Sequence, residues 1–279
     1  MNHSSSRRAF LAGSAATAAS LSIPTVAPAA VHSGDLKLGV ATYSLRKLSR
    51  AKAIEAIKTL NTPYVSIKSF HMPYEDSTQQ LEAERKEFTD AGLTILSGGN
   101  NSITKDTDQD VEFFFKYART CGMPMLVIAP TEQTLPRIEK FVKQYDIKVA
   151  IHNHGPEDKH FPSPQSVLKA VKGMDPRVGL CIDVGHTVRT GADVVESIKE
   201  AGPRLLDMHV KDLRSLSDKD SQCAVGEGKM PMVVIFKQLR KMNYQGGVML
   251  EYEINADNPL PGMIQSFAYM RGVLAGLNG

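Results

Sequence analysis

Several things are scarce in this sequence, and each scarcity removes a class of protein. Three cysteines, Cys121, Cys181 and Cys223, occur in 279 residues. So sparse a set makes no disulfide framework and suits a chain that folds in a reducing compartment. Charge excess is also small. The chain has 33 Lys+Arg against 30 Asp+Glu, and Arg7 and Arg8 are the only charges of the first 30 residues, so residues 31–279 balance to +1. A near-neutral chain gives no case for a nucleic-acid partner. No apolar run is long enough for a membrane span. Solenoid repeats, low-complexity tracts and domain-splitting linkers are absent beyond the N-terminal segment.

That segment, 1–30, reads as an export signal. It places Arg7-Arg8 before Phe10-Leu11, then a weakly apolar Ala/Ser stretch, then small residues at Ala27-Pro28-Ala29. This order of charged, apolar and cleavable regions is that of a signal peptide, and the paired arginines point to the twin-arginine route. The expectation is a periplasmic protein with no membrane attachment after signal removal, and one domain over 31–279.

In the rest of the chain, short apolar runs alternate with helical patterns. Strands are expected at 36–43, 64–70, 93–98, 125–130, 147–154, 178–185, 204–212 and 247–253. Between them lie segments such as RAKAIEAIKTL, with apolar residues at 51, 54, 57 and 60, and PMVVIFKQLRKMN, with Pro231 at an expected first helical position. Eight βα units in about 250 residues predict a single α/β domain, a (β/α)₈ barrel. The runner-up, a doubly wound sheet, needs a glycine-rich phosphate loop after the first strand, and ATYSLRKLS has none.

In such a barrel the chemistry gathers where the strands end. The fifth strand ends in His152 and His154, then Glu157. The sixth ends in Asp183, with His186 in the following turn. The seventh carries His209 and Lys211, and the eighth ends in Glu251. Strand alternation puts Asp183 and Glu251 inside the barrel, and Lys68 of the second strand as well, with His71 in the next loop. A lone strand-end Asp is often a helix cap. Several ligand-type residues on adjacent strands call for a divalent metal, because burying them together without one is costly.

The motifs CIDVGH, DMHVKD, GEGKMPM and MLEYE follow one another on the expected strands. Through them the chain resembles the xylose isomerase-like TIM-barrel superfamily, which includes sugar isomerases and epimerases, inosose dehydratases and endonuclease IV. The resemblance implies Asp183, His209 and Glu251 as metal ligands. It implies His152 as the fourth, at a position that is glutamate in the sugar epimerases, and His154 and His186 as substrate-binding or supporting residues.

The activity implied by the resemblance is metal-dependent isomerisation or epimerisation of a small sugar or keto-sugar, with a proton taken from the carbon beside the carbonyl. Glu251, Lys68 and His186 are the catalytic candidates; His71, His154, Glu157 and Lys211 are the substrate-binding ones. Mn, Zn, Co and Ni all accept two imidazoles and two carboxylates. One alternative is β-elimination from a keto-sugar or keto-glycoside. Another is a non-catalytic sugar- or metal-binding barrel. Phosphodiester hydrolysis would need more ligands and a basic surface. An oligomer is compatible with the sequence.

Overall fold

The computed structural model describes Met1 and residues 36–278. The expected export signal lies outside the described residues. Eight parallel strands close into a barrel: β1 (Lys37–Ala41), β2 (Tyr64–Ile67), β3 (Thr94–Ile103), β4 (Met125–Pro130), β5 (Lys148–His152), β6 (Val178–Asp183), β7 (Leu205–Val210) and β10 (Gly247–Leu250). Neighbours run β1-β10-β7-β6-β5-β4-β3-β2, so the last strand closes on the first. A short antiparallel pair, β8 (Asp212–Leu213) with β9 (Gln222–Cys223), sits in the loop between β7 and β10. The helices are α1 (Arg50–Thr59), α2 (Thr78–Asp90), α3 (Asp108–Thr120), α4 (Leu135–Tyr145), α5 (Pro164–Ala170), α6 (Val184–Arg189), α7 (Val194–Ala201), α8 (Met232–Lys241) and α9 (Leu260–Gly276). None is long and apolar enough to cross a membrane.

Alternation along the strands divides the core in two. Val149 and Ile151 of β5, Val178, Leu180 and Ile182 of β6, and Val248 and Leu250 of β10 pack outward in the large core beneath the helices. Met125, Val127, Ala150 and Cys181 form a separate cluster in the lumen. The inward positions nearest the strand ends are left for polar residues. All three cysteines are free and buried.

Several expected boundaries shift. β5 stops at His152 and β10 at Leu250, earlier than their apolar patterns suggest, because the polar residues beyond them turn to one another. β3 runs to Ile103, five residues past its expected end. The buried face of α1 is Ala53, Ala56 and Ile57, continued by Leu60, while Ala51 is exposed. Small alanines fit that i, i+3, i+4, i+7 stripe against the sheet, and Lys52, Glu55 and Lys58 take the water. Pro231 caps α8 from outside its first turn.

Candidate metal centre and active site

The four barrel strands that neighbour one another as β5, β6, β7 and β10 bring together His152, Asp183, His209 and Glu251. One donor atom from each lies within 4.8 Å of all the others. His152 Nε2 is 3.1 Å from His209 Nδ1 and 3.5 Å from Asp183 Oδ2, and His209 Nδ1 is 3.2 Å from Glu251 Oε1. Donors held by one tetrahedral cation at about 2.0–2.2 Å stand about 3.3–3.6 Å apart. The spacing therefore fits a single shared divalent ion, and Asp183 Oδ2 turns to the cluster with His152 and the Lys211 ammonium beside it. His152, Cys181 and His209 form a second donor set that shares both imidazoles. Burial pushes the Cys181 thiol up to about 12, so it stays protonated at neutral pH.

Asp183 serves both as a helix cap and as a member of the cluster. Its Oδ1 caps α6, accepting from the His186 backbone N–H at 2.8 Å. Its Oδ2 faces the cluster. Asn153, between the two strand-end histidines, points away from them. It accepts from the Asp183 N–H at 3.0 Å and donates to Thr187 Oγ1 at 3.1 Å. His152 and His154 share a face as alternation requires, their ring centroids 4.4 Å apart. Burial drives the His152 imidazolium down to about 3, so this ring is neutral and its lone pair is available.

Lys211 lies within the cluster. Its buried ammonium is 3.0 Å from Asp183 Oδ2 and 2.8 Å from Glu251 Oε2, and it also bonds Glu253. Burial alone would favour the neutral amine, but Asp183, Glu251 and Glu253 outweigh it and hold Lys211 well above the usual lysine value. Both oxygens of Glu251 are thereby engaged, one at His209 and one at Lys211.

Lys68 is half-buried beyond the end of β2, and its Nζ donates to the backbone carbonyl of Asn100. Among the described residues no carboxylate pairs with it. Burial lowers its pKa, and Glu251 opposes that only in part. Asn100 also donates through Nδ2 to His154 Nε2 at 2.7 Å, and His154 Nδ1 is 3.2 Å from Asp158 Oδ2. His186 lies in the first turn of α6, not in a free turn. Its ring is 5.8 Å from His152 and 5.7 Å from His154. Arg189 donates to His186 Nδ1 at 3.0 Å and pairs with Glu157. Because a guanidinium only donates, neutral His186 carries its proton on Nε2.

His71 is different. It is 0 % exposed, its Nε2 is 3.3 Å from the Leu48 carbonyl, and none of its hydrogen-bond partners belongs to the cluster. Asn100 and Arg189 complete the site without having been expected from the sequence, while Glu253, which the sequence places after Glu251 at the end of the eighth strand, pairs with Lys211. Asn100 lies beyond the expected end of the third strand. Arg189 carries a signal, its i+3 spacing from His186 on one helix.

The chain belongs to the xylose isomerase-like TIM barrel family, whose model matches residues 52–273. It is 26 % identical over 163 residues to an inosose dehydratase of Mesomycoplasma hyopneumoniae, covering 51 % of this chain and 53 % of that one. It is 23 % identical over 234 residues to a D-psicose 3-epimerase of Agrobacterium fabrum, covering 71 % and 77 %. The chain spans about half the length of most of the curated relatives it matches. The solved IOLI protein with a bound zinc atom shares the fold at a TM-score of 0.71 and 16 % identity, over 86 % of this chain and 99 % of that one.

Proposed function

We propose that this chain is a metal-dependent enzyme of the isomerase or epimerase type, moving a proton at the carbon beside a sugar carbonyl. The observation that carries this reading is the convergence of two imidazoles and two carboxylates, within 4.8 Å, at the barrel mouth. The dehydratase and epimerase relatives support a small sugar or keto-sugar as substrate. A divalent cation held by His152, Asp183, His209 and Glu251 supplies Lewis-acid polarisation of the carbonyl.

The proton transfer falls to the chain's own residues. Glu251 is a weak base: burial opposes its charge, but Lys211 and His209 hold its carboxyl well below the usual range. Lys68 has one partner, a backbone carbonyl, and a lowered pKa, which suits a general base. Its amine takes the proton from the hydroxyl-bearing carbon beside the carbonyl and returns it to the former carbonyl carbon, while the hydroxyl proton passes to the former carbonyl oxygen. One base on one side favours a 1,2-shift over inversion, which needs a group on each face.

A specific observation favours β-elimination as the second reading. Arg189 fixes His186 as an Nε2–H donor. Lys68 would then take the α-proton and, as the ammonium so formed, pass it to the departing oxygen, which the His186 Nε2–H holds by a hydrogen bond. Turnover of ketoses and keto-glycosides in deuterated solvent tests both readings. Isomerisation leaves deuterium in the recovered sugar, and elimination releases water or an alcohol with an unsaturated product. Lys68→Met slows either by roughly 10²-fold or more. Turnover at the wild-type rate in that variant, or without cleavage of the C–H bond, rules out proton abstraction by Lys68.

A further inference from the structure

A cavity opens on the mouth side of the barrel, with none of the metal-cluster residues in its lining. It has a volume of about 380 Å³ and is lined by the end of β3 and the start of α3, chiefly Ser102, Lys105, Gln109, Asp110, Phe113 and Phe114. That is within the usual size of a small-molecule pocket, about 300–1,000 Å³. All eight barrel strands are parallel, so the end of β3 lies on the same face as the ends of β5, β6, β7 and β10. Ser102 is two residues from Asn100, about 7 Å along a strand, and Asn100 itself touches Lys68 and His154.

Two features of this cleft are unexplained by folding alone. Phe113 is 41 % exposed, although it belongs to an aromatic group that could have covered it. Tyr74 meets it edge-on at 5.9 Å and Phe114 at 5.2 Å, and Tyr74 packs on Tyr117 at 4.9 Å. The Tyr74 hydroxyl is tied to Asn101, whose amide donates to the Gly98 and Val127 carbonyls at 2.9 Å each. Phe113 thus packs against a tethered ring and keeps an apolar surface to water. The polar lining is mixed and electrically balanced. Lys105 and Asp110 are 3.6 Å apart and cancel, and Ser102 and Gln109 add a hydroxyl and an amide.

We infer that this cleft is a second saccharide subsite, taking the neutral sugar ring next to the one that reacts at the mouth. An aromatic surface suits the C–H face of a pyranose, while the amide, hydroxyl, ammonium and carboxylate suit its hydroxyls. The cancelled charge disfavours a phosphate. The implied substrate class is a neutral glycoside or disaccharide, not a free or phosphorylated monosaccharide. This deepens the function proposed above and rests on that reading for what happens at the mouth, but not for binding in the cleft.

The test is calorimetric titration of the full chain with lactulose, maltose and cellobiose, each against its component monosaccharides among galactose, fructose and glucose. At least one disaccharide binds 10-fold or more tighter than its component monosaccharides. Phe113→Ala removes that advantage and leaves monosaccharide affinity unchanged. The double variant Lys105→Ala, Gln109→Ala, at exposed positions, reduces it while keeping the wild-type melting temperature. The inference is overturned if no disaccharide gains over its monosaccharides, if nothing binds, or if the gain survives in both variants. Because binding needs no turnover, a Phe113-dependent gain without solvent exchange would sink the proposed reaction and leave the subsite standing.

Discussion

Lys211 is the cation that faces the carboxylates of the cluster. The buried carboxylates of Asp183 and Glu251, and the partly exposed one of Glu253, share its buried ammonium. Removing one partner of a buried ion pair costs about 3–5 kcal/mol, because the other charge is left uncompensated. Lys211→Met should lose stability of that order in chelator. Added divalent cation should restore part of it, so the metal-induced rise in melting temperature is larger in the variant than in wild type. An equal or smaller rise would mean that Lys211 does not neutralise the ligand carboxylates. His71 makes a separate prediction. Its burial, with Arg50 nearby, holds its pKa below the ordinary imidazole value, and the Leu48 and Leu45 carbonyls oppose this only in part. In the folded state it therefore takes up its proton at lower pH than in the unfolded chain, and stability falls as pH drops below about 6.5. Denaturant titrations at pH 7.5 and 5.5 should differ less for His71→Gln than for wild type. An unchanged difference would place the acid sensitivity elsewhere.

Strands and their ends explain most of what is legible in the sequence. The eight apolar runs are unmistakable at period two, and their inward residues on β5, β6, β7 and β10 are the ones that meet. The pattern fails where a strand continues through polar residues. Nothing apolar marks Asn100 as part of β3, so its contacts with Lys68 and His154 emerge only from the pairing of Gly98 to Ile103 with β4. Likewise, nothing in the spacing says that Lys211 turns to three carboxylates instead of to solvent. Helix starts are more legible, since caps are local. Asp193 accepts from the Val195 and Glu196 N–H groups at 2.7 and 3.0 Å and opens α7. Asp193→Ala should cost about 1 kcal/mol in denaturant unfolding. A change near zero would show that water caps α7 equally well.

At the scale of the whole molecule, closure of β10 on β1 places β1 between β10 and β2, the strands nearest Glu251 and Lys68. The first half of the chain thus carries Lys68 and the aromatic cleft, and the second half carries His152, Asp183, His209 and Glu251. Export in the folded state is proposed for the same molecule from Arg7-Arg8 and Ala27-Pro28-Ala29. Replacing both arginines by lysine should retain the protein in the cytoplasm with its N-terminus intact. Unchanged periplasmic location in a cell fractionation would exclude the twin-arginine route. The cation is the premise on which the rest depends, and its most direct measurement is elemental analysis of the purified protein beside the His209→Ala variant. Wild type should hold about one divalent ion per chain, and the variant, with one of four donors gone, should hold less than a tenth of that after dialysis. Wild-type metal content in a folded His209→Ala protein would contradict a centre built from His152, Asp183, His209 and Glu251.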